Sequence, residues 1–542
     1  MENQKDEQRG NFALQFQLGR NKVLTISACA HAIHLSNRAP CGLTRQFHLR
    51  RGAGIESQQK LYNAIHEKAH VHLSYKMISF LNLLFDTQPH IVMTHLARRL
   101  RLVDYFALAF GVMVGTAWLV VMDDILHRGG PLGALLGFTA GALMLLPVAY
   151  VYGQLVPAVP DASGEAAYIA PFFPPSVSFA TGWMVFLTYF LTCPFEGLAA
   201  GRIAGYLFPS LNTHELYRLG GYPVYLPHLL LGLGLTIALT WVNYRGIRAG
   251  ARLGKTTTFT FLTLVIIFAV AGALHGSPQN FHPLFSHTPL ISVLLVWQVV
   301  PWLFSGFESV GKYSEEASAD FGGRGFFIAI ALTLITGMVF FWIVISSVAY
   351  VAPWQSLNSN QQFPTAVAFE RALHAHWIVG LIMGSALVAL VQAFNANMIA
   401  SSRVLFAMAR RNLIAPRLDY IHPVTQSPSL AIGVVSLGTL LLMFLGEAGL
   451  VPILEVGAVS SALGWMAACV SFYCMKPHWA GRLAALFGIL MTGLMVSAKI
   501  MPFVPGHFTG YEWLALAIWA ALGISISSRR NVLLQETQTS QL

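Results

Sequence analysis

The sequence predicts an all-α polytopic membrane protein with twelve transmembrane helices. Apolar stretches of about 20 residues, the length that spans a bilayer, recur from Asp104 to the end of the chain. Only 10% of the 542 residues are charged, against about 25% in soluble domains. The mean hydropathy of +0.59 agrees with this composition. A water-soluble fold is therefore excluded.

The predicted spans are long enough to cross the hydrocarbon core as helices, because about 20 residues at 1.5 Å per residue cover about 30 Å. They lack the ten-residue alternation of a membrane β-barrel, so each backbone group has to be satisfied within its own helix. The spans are 104–125, 131–156, 179–207, 223–243, 257–274, 289–311, 325–352, 377–409, 429–446, 449–475, 483–503 and 511–527.

The basic residues after position 93 fall mainly on one side of this bundle. If the N-terminus is cytoplasmic, the outer side has Arg128, Arg218, Arg371 and Lys499. The inner side has Arg98, Arg99, Arg101, Arg245, Arg248, Arg252, Lys255, Lys312, Arg324, Arg410, Arg411, Arg417, Lys476, Arg482, Arg529 and Arg530. Membrane insertion favours such a bias. It predicts cytoplasmic termini and accounts for the net charge of +10 without nucleic acid as a partner.

Residues 1–92 differ from the rest, being polar and rich in His, Arg, Gln and Asn, with one short apolar run at 77–85. Their start has mixed charge and no apolar core, unlike a signal peptide. We interpret 1–92 as an N-terminal extension, either a disordered cytoplasmic tail or a misassigned start, with translation beginning near Met93 or Met77. Residues 93–528 form the predicted membrane domain, and 529–542 form a cytoplasmic C-terminal tail.

The cysteines and histidines form no recognisable ligand pattern. Cys29, Cys41, Cys193, Cys469 and Cys474 have no paired spacing, and the nineteen histidines are scattered without an HExxH motif. We therefore expect no disulfide framework, no metal site and no cofactor. A membrane-embedded enzyme would need a convergent nucleophile, base or metal constellation, and the sequence contains none.

Glycine breaks occur at matching places in the first and sixth spans. Residues 111–117 read GVMVGTA, and residues 302–308 read WLFSGFE. A single glycine within a helix costs up to about 1 kcal/mol and often only helps helices to pack. Transporters built from two five-helix halves have one interrupted helix at the corresponding place in each half. The matching positions therefore favour two interrupted helices.

An interrupted membrane helix leaves backbone N–H and C=O groups that a solute or ion can satisfy. The N-terminal end of a half-helix attracts a carboxylate, and the opposing C-terminal end attracts a cation. A zwitterion such as an amino acid fits both ends.

Ionisable residues inside the spans are expensive and often functional. Glu308, next to the second break, is predicted to act as a gate or proton-responsive group, the alternative being a protonated or ion-paired structural acid. Glu196 and Arg202 are six residues apart and cannot share one helix face, so each needs another partner. Glu196 is a possible pathway residue or a structural contact. Arg403 and Glu455 are expected to snorkel from helix ends and are left out of the site.

Several motifs occur in an order that resembles one transporter family. They are 111–117, Gly130-Pro131, PDASGEAAY at 160–168, WVNYRG at 241–246, FSGFES at 304–309 followed by Glu315 and Glu316, and the segment from Ser402 through Arg410 to Pro416. Through them, the chain from about residue 98 to 527 resembles the amino acid–polyamine–organocation (APC) permease superfamily. The resemblance implies a leucine-transporter-type fold, a 5+5 inverted repeat with two peripheral helices, and transport by alternating access.

The resemblance also implies a substrate site midway between the first and sixth helices. Backbone amides of Thr116 and Ala117 would hold a carboxylate, and the backbone of Ser305 and Gly306 would face an ammonium. Trp302 and Phe304 would line the pocket, or they would only pack against neighbouring helices. The complete set of expected binding residues is Val114, Gly115, Thr116, Ala117, Trp302, Phe304, Ser305, Gly306 and Phe307.

Three positions depart from the family pattern. Ala117 replaces a frequent second glycine, Gln154 replaces a frequent acid, and Phe261 stands where proton-coupled members have a lysine. Proton symport, sodium symport and exchange all stay open.

The sequence thus predicts secondary-active transport of an amino acid or related amine across a plasma membrane, most simply a bacterial-type cytoplasmic membrane. The expected partners are the solute, a coupling proton or sodium ion, and membrane lipid. The alternative is a membrane sensor with a transporter-like fold that binds an amino acid without moving it.

Overall fold

The computed structural model describes residues 12–17, 23–28, 95–220, 222–357, 363–504 and 507–539. The chain divides into two compact units, Met1–Asp86 and Thr87–Leu542. In the first unit, strands β1 (Phe12–Gln17) and β2 (Val23–Ala28) pair antiparallel, with Phe12 opposite Ala28. The rest of the predicted extension lies outside the described residues, and so does Met93 at the start of the predicted membrane domain.

The described residues of the second unit form helices, one hairpin of β3 (Glu215–Leu219) and β4 (Tyr222–Tyr225), and an isolated bridge between Leu100 and Ala317. Its α-helices, in chain order, are α1 (Leu102–Met113), α2 (Ala117–Val120), α3 (Met122–Ala158), α4 (Glu165–Ile169), α5 (Pro175–Leu207), α6 (Leu226–Tyr244), α7 (Ile247–His275), α8 (Pro289–Trp297), α9 (Val300–Leu303), α10 (Gly323–Val351), α11 (Pro364–Leu373), α12 (His376–Arg410), α13 (Ser429–Leu442), α14 (Gly446–Cys474), α15 (Trp479–Ile500) and α16 (Gly510–Thr539).

The helices make this a multi-pass membrane protein. Within the described residues, ten helices are long and apolar enough to cross a membrane, and the bent pair of α8 with Val300–Glu316 raises the number to eleven. The ninth predicted span corresponds to the shorter apolar helix Ser429–Leu445. Helix α16 continues to Thr539, so the predicted boundary between membrane domain and tail falls inside a helix.

Both predicted breaks are present. Helix α1 ends at Met113 with Val114 in an extended conformation (φ −115°, ψ 94°), and α2 begins at Ala117. In the sixth span the axis bends by 41° after Trp297. Gly306 then adopts φ 129°, which side chains disfavour, and a 3₁₀ segment runs from Phe307 to Glu316.

The two broken elements lie together in the middle of the bundle. Helix α1 packs against α7, α10, α12 and the 3₁₀ segment Phe307–Glu316. The apolar window of α1 and α2 is 72% buried, whereas those of α15 and α16 are 22% and 11% buried. The last two helices therefore lie at the periphery, and the breaks lie where the surrounding helices exclude lipid.

Candidate functional site

A cavity of about 330 Å³ lies beside both breaks. That volume is near the lower end of the range of about 300–1,000 Å³ usual for small-molecule sites. Residues of the first break, the sixth span, α5, α12 and α14 line it: Val112, Met113, Gly115, Thr116, Ala117, Val120, Val121, Thr188, Leu191, Thr192, Phe195, Glu196, Trp302, Leu303, Ser305, Asn397, Val451, Leu454, Glu455, Gly457, Ala458 and Ser461.

Glu196 on α5 binds the first break directly. The backbone N–H of Thr116 donates to Oε1 of Glu196 at 3.4 Å, and the Thr116 hydroxyl donates to Oε2 at 3.2 Å. Both side chains are buried. Pro194, two residues before Glu196, lies inside α5 and removes one helical hydrogen bond there. The carboxylate therefore satisfies a main-chain donor that the end of α1 leaves free.

Gly115 makes this approach possible. A Cβ built at Gly115 would overlap Oε1 of Glu196 and would lie 3.2 Å from the Cβ of Ala393. Any side chain at this position would push the carboxylate away from Thr116. Gly115 therefore allows α5 to approach the first break closely, in addition to interrupting the helix.

The second break is held by a different set of contacts. The Gly306 N–H donates to Oε2 of Glu308 at 2.8 Å, and the Tyr189 hydroxyl donates to Oε1 of Glu308 at 3.1 Å. The hydroxyl of Ser305 donates to that of Ser461 on α14 at 2.8 Å. Glu308 thereby joins the sixth span to α5, while Ser305 joins it to α14.

The structure distributes the predicted binding residues between the cavity and the surrounding core. Gly115, Thr116, Ala117, Trp302 and Ser305 line the cavity, together with the possible pathway residue Glu196. The buried Val114, Phe304, Gly306, Phe307 and Glu308 are not among its lining residues.

Each of these non-lining residues has contacts of its own. The Val114 carbonyl accepts from Nε2 of Gln392 at 2.9 Å. The Phe304 ring packs on Phe341, and the Phe307 ring packs on Trp465. They shape the breaks from behind the cavity.

Comparison with known proteins identifies the group to which this arrangement belongs. A family model described as "Amino acid permease" matches residues 100–524. The methylthioribose transporter of Bacillus subtilis is 22% identical over 451 residues, which are 81% of this chain and 95% of the relative. The amino-acid permease RocE of the same species is 22% identical, covering 69% of this chain and 80% of its own length.

A mammalian relative shows the same relationship. The cationic amino acid transporter 4 of Mus musculus is 26% identical, covering 70% of this chain and 60% of the relative. The chain belongs to the amino acid–polyamine–organocation permease superfamily.

A buried ion pair in this permease joins the 160–168 motif to the sixth span. Nζ of Lys312 pairs with Oε2 of Glu165, and both side chains are at most 1% exposed. The Tyr152 hydroxyl donates to Oε1 of Glu165 at 2.5 Å. Nζ of Lys312 also lies 5.9 Å from the ring centroid of Tyr189, whose hydroxyl binds Glu308. The pair is therefore continuous with the contacts that hold the second break.

The prediction for Arg403 is wrong. Its side chain is 1% exposed, and Nε and Nη2 contact the two carboxylate oxygens of Glu316 at 3.2 and 3.1 Å. A paired guanidinium does not need to reach water, so snorkelling is not required. Nearby, Arg410 binds Glu315, and Nε of Arg411 binds Asp161 at 3.0 Å.

Glu455 is a cavity residue that the sequence reasoning left out. It lines the cavity from α14, and its Oε2 lies 2.6 Å from Nζ of Lys499 on α15. The signal was present in the sequence, because an acid within a predicted span is a functional indication by default.

The guanidinium carbon of Arg202 is 6.0 Å from the ring centroid of Phe363. Phe261, the departure in the fifth span, is fully buried against Phe340 and Trp118, with centroids 5.4 and 6.0 Å away. Phe261 is not among the residues that line the cavity.

The described residues contain no group of three or more His, Cys, Asp or Glu side chains that could hold a metal ion. Cys193, Cys469 and Cys474 are free thiols. What the site offers is binding: carboxylates, hydroxyls and an amide within a largely apolar cavity beside interrupted helices.

Proposed function

We propose that this permease is a secondary-active transporter that moves an amino acid or related amine by alternating access. The observation that carries the proposal is the cavity lined from both the first break and the sixth span. Interrupted membrane helices stay stable where they surround a solute or ion site, because unpaired backbone groups are costly in lipid. RocE and the cationic amino acid transporter, by their names, move solutes of this class.

In this proposal the twelve apolar stretches form a 5+5 inverted repeat with α15 and α16 as the peripheral helices. The first break and the sixth span then occupy equivalent places in the two halves. The low burial of the last two helices supports this assignment. Both termini lie in the cytoplasm, on the side that the basic residues favour.

The solute occupies the cavity between Thr116 and Ser305. Ser305 faces the solute from the sixth span, and Trp302 covers it on one side, whereas Gly306 lies behind the cavity with its N–H bonded to Glu308. Ala117 begins α2, so its N–H has no partner within that helix. Glu196 places an acidic side chain beside Thr116. This acid is expected to influence which solute binds.

Glu308 acts as the gate of the second break. Its carboxylate bridges Gly306 and Tyr189, so movement of the sixth span away from α5 has to break these contacts. Protonation would weaken both hydrogen bonds, because they are strongest to a charged acceptor. The coupling ion is a proton or sodium, and Phe261 leaves the place of the expected lysine without a charge.

Counterflow in proteoliposomes tests the proposal. Purified full-length protein is loaded with one unlabelled solute from a panel of amino acids, amines and methylthioribose, and uptake of the labelled solute is followed at two pH values, with and without sodium. Exchange of an amino acid or amine that is faster than in protein-free liposomes supports the proposal. Binding in a thermal-shift assay without any exchange would instead support a sensor. Exchange of methylthioribose alone would contradict the solute class.

A further inference from the structure

The cavity has carboxylates but no basic side chain to face a solute. Its lining residues, all of which the structure describes, include Glu196 and Glu455 and no lysine, arginine or histidine. Glu455 is paired with Lys499 and 44% exposed. Glu196 is buried, and within the described part of the chain its hydrogen bonds come from Thr116 rather than from a cation. Glu196 is therefore the cavity acid with no compensating positive charge.

The position of Glu196 matters more than its charge alone. The backbone amide of Thr116, where the family resemblance places the carboxylate of a zwitterionic solute, already donates to Oε1 of Glu196. The Thr116 hydroxyl is engaged by the second oxygen of the same carboxylate. A solute carboxylate at this place would compete with Glu196 for both donors, and two carboxylates that share one site repel each other. The protein itself supplies the carboxylate that a zwitterion would bring.

We propose that the preferred solute is a small organic amine without a carboxylate, whose ammonium group binds Glu196. This inference rests on the transport function proposed above and narrows its solute class. Glu196 is then the residue that sets specificity between amines and amino acids.

The remainder of the lining indicates what the amine carries. Most of it is apolar, including Val112, Met113, Leu191, Phe195, Trp302 and Leu454. Burial of apolar solute surface against these side chains is favourable, whereas a second charged group would have to compete with Lys499 for Glu455. A single ammonium on an aliphatic or aromatic body fits this lining.

Three solutes of the same shape test the inference by binding. Leucine, 3-methylbutylamine and 3-methylbutan-1-ol share one branched body and differ in their charged groups. Affinities are measured by calorimetry and thermal shift on the detergent-purified full chain, because uncharged amines cross lipid passively and would obscure uptake. Phenylalanine with 2-phenylethylamine provides a second pair.

We expect the amine of each pair to bind at least about tenfold more tightly than its amino acid, a margin of one charge contact. The alcohol should bind more weakly than the amine. Equal or tighter binding of leucine would overturn the inference while leaving the transport proposal intact. Equal binding of the alcohol would also overturn it, because the ammonium would then contribute nothing.

Glu196→Gln separates specificity from structural support. The amide has nearly the same shape and can still accept from Thr116, but it has no charge. We expect amine affinity to fall about tenfold or more, as for loss of a buried charged contact, and the ratio of amine to leucine affinity to fall with it. A purely structural Glu196 would lower both affinities equally and contradict the proposal.

Two matched variants complete the series. Glu455→Gln should weaken amine binding less than Glu196→Gln, because Lys499 already neutralises this acid. Glu215→Gln changes an exposed carboxylate on β3, whose pKa the hydrogen bond from Arg218 lowers, and should leave both affinities unchanged. A larger effect of Glu455→Gln than of Glu196→Gln would show that the ammonium binds Glu455, and it would overturn the proposal. Counterflow failing with every solute of either kind would reject transport itself.

Discussion

Two buried regions of this permease use acids in opposite ways. Behind the second break, Glu165 is paired with Lys312, and Glu316 is paired with Arg403. In the cavity, the hydrogen bonds that Glu196 receives from the described part of the chain come from the amide and hydroxyl of Thr116. Buried pairs satisfy each other and leave little for a ligand, whereas an acid bound only by neutral donors lacks an ionic partner, which a cationic ligand can supply. The comparison separates residues that hold the bundle together from those that meet the solute.

The largest expected effect comes from breaking a pair behind the second break. Lys312→Met removes the cation from a fully buried pair and leaves Glu165 uncompensated. Loss of one partner of a buried pair costs about 3–5 kcal/mol, so the variant should show a strongly lowered thermal midpoint or fail to accumulate. The double variant Lys312→Met with Glu165→Gln should recover most of the stability. A stable single variant would show that the pair is not structural.

The second effect concerns the bridge formed by Glu308. Glu308→Gln keeps the shape but has one carbonyl oxygen, which can accept from Gly306 while its NH2 group donates to the Tyr189 oxygen. Hydrogen bonds to a neutral acceptor are about half as strong. We expect transport to slow and its dependence on pH to flatten, while the thermal midpoint changes little. Initial rates of counterflow between pH 5 and pH 8 measure this. Kinetics equal to those of the wild type at every pH would remove Glu308 from gating.

A smaller change tests the close approach on the cavity side. Gly115→Ala places a methyl group where Oε1 of Glu196 now lies. Overpacking of this kind costs about 1–3 kcal/mol, and displacement of the carboxylate should weaken solute affinity as well. Calorimetry of the variant with its preferred solute checks the second effect. Gly384→Ala on α12, where a Cβ would have no atom within 4 Å, is the matched control and should bind normally.

The smallest effect is expected for Ser305→Ala. The Ser305 hydroxyl donates to Ser461 at 2.8 Å, and a neutral hydrogen bond contributes about 0.5–1.5 kcal/mol. The variant should therefore lower the thermal midpoint slightly and retain transport, because the Ser305 backbone is unchanged. Complete loss of transport in a folded variant would mean that the side chain contacts the solute.

Local features of the sequence were enough to predict the polytopic helical fold and its two breaks, although the described residues contain ten or eleven helices that can cross a membrane rather than twelve. The apolar stretches locate the spans because lipid imposes their length, and the glycines at 115 and 306 mark the two breaks. The ninth stretch, predicted as 429–446, forms the short apolar helix Ser429–Leu445 and ends where the chain turns at Gly446 with φ 61°.

Partners on different helices could not be predicted in the same way. Thr116 and Glu196 are 80 residues apart, and Glu316 and Arg403 are 87 residues apart. Spacing along one helix could show that Glu196 does not pair with Arg202, but it could not identify Thr116. Because the sequence does not reveal partners on other helices, the prediction for Arg403 was wrong, and Glu455 was not included in the predicted site.

The most direct test of the account is a density map of the full chain in a lipid nanodisc, saturated with the solute that binds most tightly. The account predicts helices interrupted at Val114–Thr116 and around Gly306, with solute density in the cavity between Thr116 and Ser305. Continuous helices through both positions, or solute density elsewhere with this cavity closed, would contradict it.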